Sequence, residues 1–298
     1  MAVTTRKPLA EPASTAATAA PFSIVSGVKA AQPWLKLFFY GDYGSGKTVL
    51  SAQSVDVEVM KDVLFINIES GVQSIRGSRA VKNYADIDFV PCADFETFVA
   101  IHRMLLAYCQ ARDDDDAERI KKMAQKYGFN HTKRYRTVVI DSLSELNQIS
   151  LARAFGENQD DLLATADSDD TRRDYGRNAQ AMLKTVRAFR NLPMHVISTC
   201  GREWDQDERK KLGYQPRLTG KLAKEVQAFW DVIGFVQTAA QKPGEDEEGG
   251  ASVARRLWLQ PVGKFDAKNR LSSQEITHID DPTMEKLVAL LTRKSASK

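Results

Sequence analysis

Four short apolar runs set the frame of the chain: Leu35-Lys36-Leu37-Phe38-Phe39-Tyr40, Val63-Leu64-Phe65-Ile66-Asn67-Ile68, Thr137-Val138-Val139-Ile140 and Met194-His195-Val196-Ile197-Ser198-Thr199. Each is nearly continuous in apolar residues rather than alternating, the pattern of strands covered on both faces. Helical spacing fills the intervals. Asp94 can cap a helix through Phe95, Phe98, Ile101, Leu105 and Leu106. Residues 143–155 read as helix, and residues 172–190 carry Ala179, Met182, Leu183, Val186 and Phe189 as an apolar stripe. Weaker signals place strands at 88–90, 232–238, 255–260 and 275–279, and helices at 220–229 and 281–291. The acidic glycine-flanked stretch 244–250 reads as an exposed hairpin tip. Strands alternating with helices, then a hairpin, predict an α/β fold with a mostly parallel central sheet flanked by helices and an antiparallel extension at one edge.

The polar segments divide the rest. Residues 1–21 are rich in Ala, Thr, Ser and Pro and are expected to be a disordered tail. Residues 22–292 then form a single domain, with 22–32 as a lead-in and 293–298 as a C-terminal tail. A polar, Lys-rich insertion at about 111–133 contains the run Asp113 to Asp116 and reads as a solvated helical hairpin. Two long polar connections, 156–171 and 200–219, are of a length that is usually functional or disordered.

Bulk composition narrows the function classes only a little. A net charge of +3 over 298 residues makes no argument for nucleic acid, so any such argument rests on local clustering. Three scattered cysteines exclude a disulfide framework and fit a reducing compartment. The four histidines show no metal-ligand spacing, and His195 reads as a packed strand residue. No apolar run approaches membrane-spanning length.

The chemistry starts at Gly41-Asp42-Tyr43-Gly44-Ser45-Gly46-Lys47-Thr48, which follows the first strand and leads through Val49 into a helical stretch. The spacing G-x-x-x-x-G-K-T is that of a phosphate-binding P-loop. Its glycines let successive backbone N–H groups face one anion, and the following helix turns its positive end toward the same place. Lys47 can reach the β- and γ-phosphates, and the Thr48 hydroxyl can ligate Mg²⁺. Asp141, at the end of the third run, would deliver a carboxylate to the same sheet edge as the second metal-site residue. Hydrolysis also needs a group to orient water. Glu69, ending the second run, is the choice, with Glu145 in reserve. Thr199 ends the fourth run and could sense the γ-phosphate. Ser198 competes for that role, since strand alternation turns only one of them to the site.

Together these residues resemble the RecA-like P-loop ATPases, and among them the compact phage and prophage nucleotide-binding proteins that include RecA-like single-strand annealing proteins. The resemblance is carried by the P-loop, by Ile68-Glu69-Ser70-Gly71, by the strand ending in Asp141-Ser142, by Phe229-Trp230-Asp231-Val232-Ile233 and by Ala267-Lys268-Asn269-Arg270. It implies a RecA-like core, ATP and Mg²⁺ as cofactors, a homo-oligomeric ring or filament with nucleotide at the subunit interface, and a bacterial cytoplasmic setting. It also implies that Lys268 and Arg270 reach a neighbour's γ-phosphate in trans. As a reading of residues alone, a basic turn remains open for that pair. DNA-contacting loops are implied at 156–171 and 200–219. The second interleaves Arg202, Arg209, Lys210, Lys211 and Arg217 with Trp204 and Tyr214, so that cations could track phosphates while a ring stacks a base. The first is acidic, which departs from that pattern. The expected function is an ATPase acting on single-stranded DNA in phage-type recombination or annealing, with a single-strand-binding protein as a further partner and no membrane. The alternatives are a nucleotide-gated oligomeric regulator or assembly ATPase without DNA, and a small-molecule P-loop kinase.

Overall fold

The strand before the P-loop, Lys36–Gly41 (β1), is buried at every position, because it lies in the middle of the sheet. It pairs in parallel with His195–Gln206 (β5) on one side and Val232–Ala240 (β7) on the other. Beyond β5 come Thr137–Asp141 (β4), Val63–Asn67 (β2) and Asp88–Pro91 (β3), each parallel to its neighbour. Val253–Trp258 (β8) and His278–Asp280 (β10) extend the β7 side in antiparallel pairing. The order across the sheet is therefore β10-β8-β7-β1-β5-β4-β2-β3. These coordinates are a computed structural model that describes residues 34–155, 171–206, 212–240, 253–271 and 276–292, all within the compact unit Trp34–Lys298. The two expected tails, the 22–32 lead-in, the acidic connection 156–170 and the 241–252 tip lie outside the described residues.

The helices follow from the same patterning. They are Lys47–Ala52 (α1), Val72–Arg76 (α2), Phe95–Asp113 (α3), Ala117–Tyr127 (α4), Leu143–Ala154 (α5), Thr171–Arg190 (α6), Leu222–Glu225 (α7) and Met284–Thr292 (α8). Asp94 caps α3 by accepting from the Thr97 N–H at 2.6 Å, and the 111–133 insertion is the helical hairpin formed by the end of α3 and α4. Strand alternation splits the core in two. Phe38, Tyr40, Ile66, Ile140 and Val196 face α3, α5 and α6 through Phe98, Leu146, Met182 and Phe189. Leu37, Phe39, Phe65, Val139 and Ile197 face α1 and α8 through Leu50, Leu287 and Leu291.

Two polar residues inside β1 and β5 are fully accounted for. His195 accepts the Leu35 N–H on Nδ1 at 3.0 Å, and its Nε2 meets the Val59 carbonyl at 3.1 Å; burial pushes its pKa down to about 4. It is a packed strand residue, as expected. The Lys36 ammonium donates to the carbonyls of Leu192 and Met194 at 2.8 and 2.6 Å, and burial lowers its pKa to about 7.

One expected loop is not a loop. The fourth strand does not stop at Thr199. It runs on as β5 to Gln206 and pairs antiparallel with Leu212–Pro216 (β6), so that 200–219 is largely a β-hairpin. The cause is a cross-strand pair, Trp204 opposite Tyr214, with ring centroids 4.2 Å apart and the Arg202 guanidinium 4.0 Å over the Tyr214 ring. Polar composition hid it. The last strand is also shifted, from 275–279 to His278–Asp280.

Candidate functional site: the P-loop cavity

Because the strands from β7 to β3 are parallel, their carboxyl ends share one edge, and there the candidate residues meet. A cavity of about 340 Å³ is lined by Lys47, Thr48, Glu69 and Asp141, together with Tyr43, Gly44, Gly46 and Val49 of the loop and start of α1. The loop geometry explains two of its glycines. At Gly41 a Cβ would overlap the Val236 carbonyl oxygen of β7, and Gly46 has φ 92°, the left-handed region. Lys47 folds back into this cradle, its Nζ donating to the Asp42 and Gly41 carbonyls at 2.6 and 3.1 Å and to Ser45 Oγ at 3.4 Å. Burial lowers its pKa, with Asp141, Glu69 and Asp42 opposing. An ammonium held only by neutral oxygens is a natural partner for an anion.

Asp141 is 2% exposed and accepts from Thr48 Oγ1 at 3.0 Å and from Thr199 Oγ1. Burial raises its pKa, partly countered by those two hydroxyl bonds. The peptide bond between Asp141 and Ser142 is cis. Glu69, exposed, is tied to the same strand end, since its N–H and that of Ile68 both donate to the Asp141 carbonyl at 3.1 and 2.8 Å. No cluster of three or more His, Cys, Asp or Glu side chains able to hold a metal exists among the described residues. The pair Thr48 and Asp141 still fits Mg²⁺, which keeps waters and takes phosphate oxygens, and so needs only one or two protein donors.

Of Thr199 and Ser198, Thr199 is the one whose hydroxyl turns to the site. Thr199 is fully buried and donates its hydroxyl to Asp141, so it holds that carboxylate in place. Ser198 is also fully buried, with its Oγ unpartnered. The Glu145 N–H donates to Ser142 Oγ at 3.4 Å, as part of the α5 cap.

Arg202, Trp204, Tyr214 and Arg217 reach the same edge on the β5–β6 hairpin. Trp204 is 55% exposed. Arg202 forms an ion pair with Asp42, and Arg217 donates to the Tyr43 hydroxyl while lying 5.1 Å over its ring. The hairpin is thus fastened to the two variable positions at the front of the P-loop. Arg209, Lys210 and Lys211 lie outside the described residues. An aromatic series leads inward from the hairpin, Tyr214 stacking on Phe235 at 5.6 Å and Phe235 meeting Tyr40 of β1 at 5.1 Å.

Lys268 and Arg270 are not part of the cavity in their own chain. Lys268–Asn269 (β9) pairs with Ile233 and Val232, at the opposite, amino end of β7. Lys268 Nζ donates to the Gln227 carbonyl at 2.7 Å, and burial with the neighbouring Arg270 lowers its pKa to about 8. Conversely, no motif in the sequence points to Arg255. This β8 residue borders the cavity from the antiparallel edge, and in sequence it is one of an unremarkable Arg-Arg pair after the acidic tip.

No helix among the described residues is long and apolar enough to cross a membrane. No curated protein matches the chain. Among solved structures, the flagellar accessory protein FlaH from Methanocaldococcus jannaschii is similar over 83% of this chain and 86% of its own, at 11% identity and a TM-score of 0.38, a likeness too loose to speak to function. The family comparison is firmer: residues 34–271, which hold every element from β1 to β9, match the AAA domain family AAA_24. With its phosphate-binding loop, buried Asp141 and parallel sheet, the chain belongs to that AAA domain family of P-loop ATPases.

Proposed function

We propose that the chain is an ATP- and Mg²⁺-dependent ATPase that assembles with its own copies in the cytoplasm and acts on single-stranded DNA, in annealing or recombination of the phage type. The observation that carries the ATPase reading is the convergence of Lys47, Thr48, Glu69 and Asp141 on one cavity from three separate strand ends. Lys47 leaves its carbonyl partners for the β- and γ-phosphates. Thr48 and Asp141 hold Mg²⁺, which when bound neutralises charge on the phosphates. Glu69 takes a proton from water as the water oxygen bonds to the γ-phosphorus, the bond to the β-phosphate oxygen breaks, and ADP and phosphate result. Arg270, with Lys268, completes a neighbour's site. With phosphates bound at the carboxyl edge and this pair at the amino end of β7, the contact is head-to-tail, the kind that builds rings or filaments.

The DNA part of the reading is supported by the hairpin, where exposed Trp204 stands beside Arg202 and Tyr214 as a stacking surface with a cation. A single-strand-binding protein is a fitting partner for such an activity. One observation favours the second reading, a nucleotide-gated assembly ATPase without DNA: Arg202 and Arg217 already hold Asp42 and Tyr43 and are not free cations. ATPase rate against protein concentration, with and without single-stranded DNA, tests both. A rate that climbs faster than concentration and rises with DNA is expected. Linear, DNA-indifferent turnover would remove the trans residues and the DNA substrate together. Replacing Arg209, Lys210 and Lys211 at once should weaken single-strand binding at low salt.

A further inference from the structure

Two cavities adjoin at the start of α1. The first is the P-loop cavity, with Glu69 and Asp141 at its far end. The second, of about 190 Å³, runs the other way, past Leu50 and Gln53 to Asp281, Pro282 and Thr283. Gly46, Val49 and Arg255 line both, so these three residues mark the passage between them. The walls of the second cavity are fixed. Gln53 accepts the Met284 N–H at 3.1 Å and donates to the Ala80 carbonyl at 3.2 Å, while the Arg255 carbonyl accepts the Asp281 N–H at 2.8 Å.

Arg255 is the unusual member of the passage. Its backbone is held in β8 opposite Thr238, but its guanidinium is exposed and, among the described residues, has no hydrogen-bond or ion-pair partner. It lies over Gly46, with Nε 3.1 Å and Cζ 3.5 Å from where a Cβ on that glycine would be. A second cation is thereby set on the cavity that Lys47 also lines, where the hydrogen-bond partners of the Lys47 ammonium are all neutral oxygens. Two cations that line one cavity, neither of them ion-paired with a carboxylate, can share one anion. A guanidinium, with its flat fork of donors, is suited to phosphate oxygens.

The direction of a bound nucleotide follows. With its γ-phosphate toward Glu69 and Asp141, the rest of the molecule must leave over Gly46 and Val49 into the second cavity. We propose that Arg255 is a nucleotide-binding residue of this same chain, contacting the α- and β-phosphates of a nucleoside di- or triphosphate where the two cavities meet. The proposal rests on the ATPase reading and adds to it a cation that acts in cis, distinct from Lys268 and Arg270.

Titration calorimetry of the full chain with Mg²⁺ and either ADP or the β,γ-methylene analogue of ATP tests it, for wild type, Arg255→Gln, Arg255→Lys and Lys47→Ala. Because the guanidinium has no partner in the free protein, Arg255→Gln should melt with the wild type. It should bind ADP and the analogue equally weakly, each by about tenfold or more, with Arg255→Lys in between. In turnover the loss should fall on KM and not on kcat. Unchanged affinity in Arg255→Gln, with Lys47→Ala defective, overturns this proposal and leaves the ATPase reading standing. A loss confined to the ATP analogue, with kcat falling, also overturns it, since the contact would then be to the γ-phosphate. A wild type that binds neither nucleotide ends both readings.

Discussion

Asp141→Asn separates the chemistry of the cavity from its architecture. The substitution keeps the shape of the side chain and removes its charge. In the free protein that charge is at a disadvantage: the carboxylate is 2% exposed, its side-chain partners are two hydroxyls, and burial raises its pKa. A carboxyl whose folded pKa is raised holds its proton more tightly in the folded state. Stability is therefore highest below the unfolded pKa near 3.8, falls as pH rises through the folded pKa, and is flat beyond it. Each unit of displacement is worth about 1.4 kcal/mol. The amide escapes that penalty, and the Thr48 and Thr199 hydroxyls can each turn to donate or accept. Asp141→Asn should thus raise the melting temperature of the nucleotide-free protein at pH 7.5 by roughly 2–4 °C per kcal/mol gained. It should also remove the fall in stability that the wild type shows as pH rises above the ordinary carboxylate range. Phosphate release should move the opposite way, dropping about a hundredfold, or about 2.7 kcal/mol in the barrier. Calorimetry across pH and a phosphate-release assay on the same preparation read both. A nucleotide-free variant less stable than wild type by more than about 1 kcal/mol would refute the reasoning, for Asp141 would then be a structural carboxylate.

Three further outcomes are expected. Lys36→Met should abolish a rise in stability with pH: the folded pKa is lowered to about 7, the unfolded chain therefore binds the extra proton above that value, and wild-type denaturant midpoints should climb from pH 7 to 9 by about 1.4 kcal/mol per unit while the variant's do not. Gly41→Ala should be poorly folded, losing about 2–4 kcal/mol in urea melts, because its Cβ would meet backbone of β7, not a yielding side chain. Asp42→Ala should release Arg202 from its ion pair, with under about 1 kcal/mol of stability lost and single-strand affinity at low salt gained by about two- to fivefold in fluorescence anisotropy; no gain would mean that the hairpin cations do not meet DNA.

The central sheet was legible because burial on both faces leaves the plainest trace in a sequence. β1, β2, β4 and β5 are the four apolar runs, and Asp141 and Glu69 were locatable simply as the polar residues that end them. The P-loop was legible because its glycine spacing is imposed by backbone geometry. The β5–β6 hairpin was not, since its pairing rests on one aromatic pair and a stacked arginine inside a polar stretch. Thr199 was placed at the correct edge, but no sequence pattern says whether a hydroxyl turns to Asp141 or to solvent. Arg255 reaches the cavity only because β8 folds back beside β7, a pairing between segments that carry no mark of the site.

The position of β1 also governs how the chain folds. Its two partners are far away along the chain: Lys36 pairs with Val196 and Leu37 with Val232. The strand that carries the P-loop is made early in synthesis yet acquires its second neighbour only after β7 has left the ribosome. Pairings of such long sequence separation fold slowly, and until they close, Phe38, Phe39 and Tyr40 present an unpaired apolar edge. A chain ending before Val232 would carry every residue of the phosphate cradle from Gly41 to Val49 and could pair β1 with β5, but would lack β7, the strand that closes the other side.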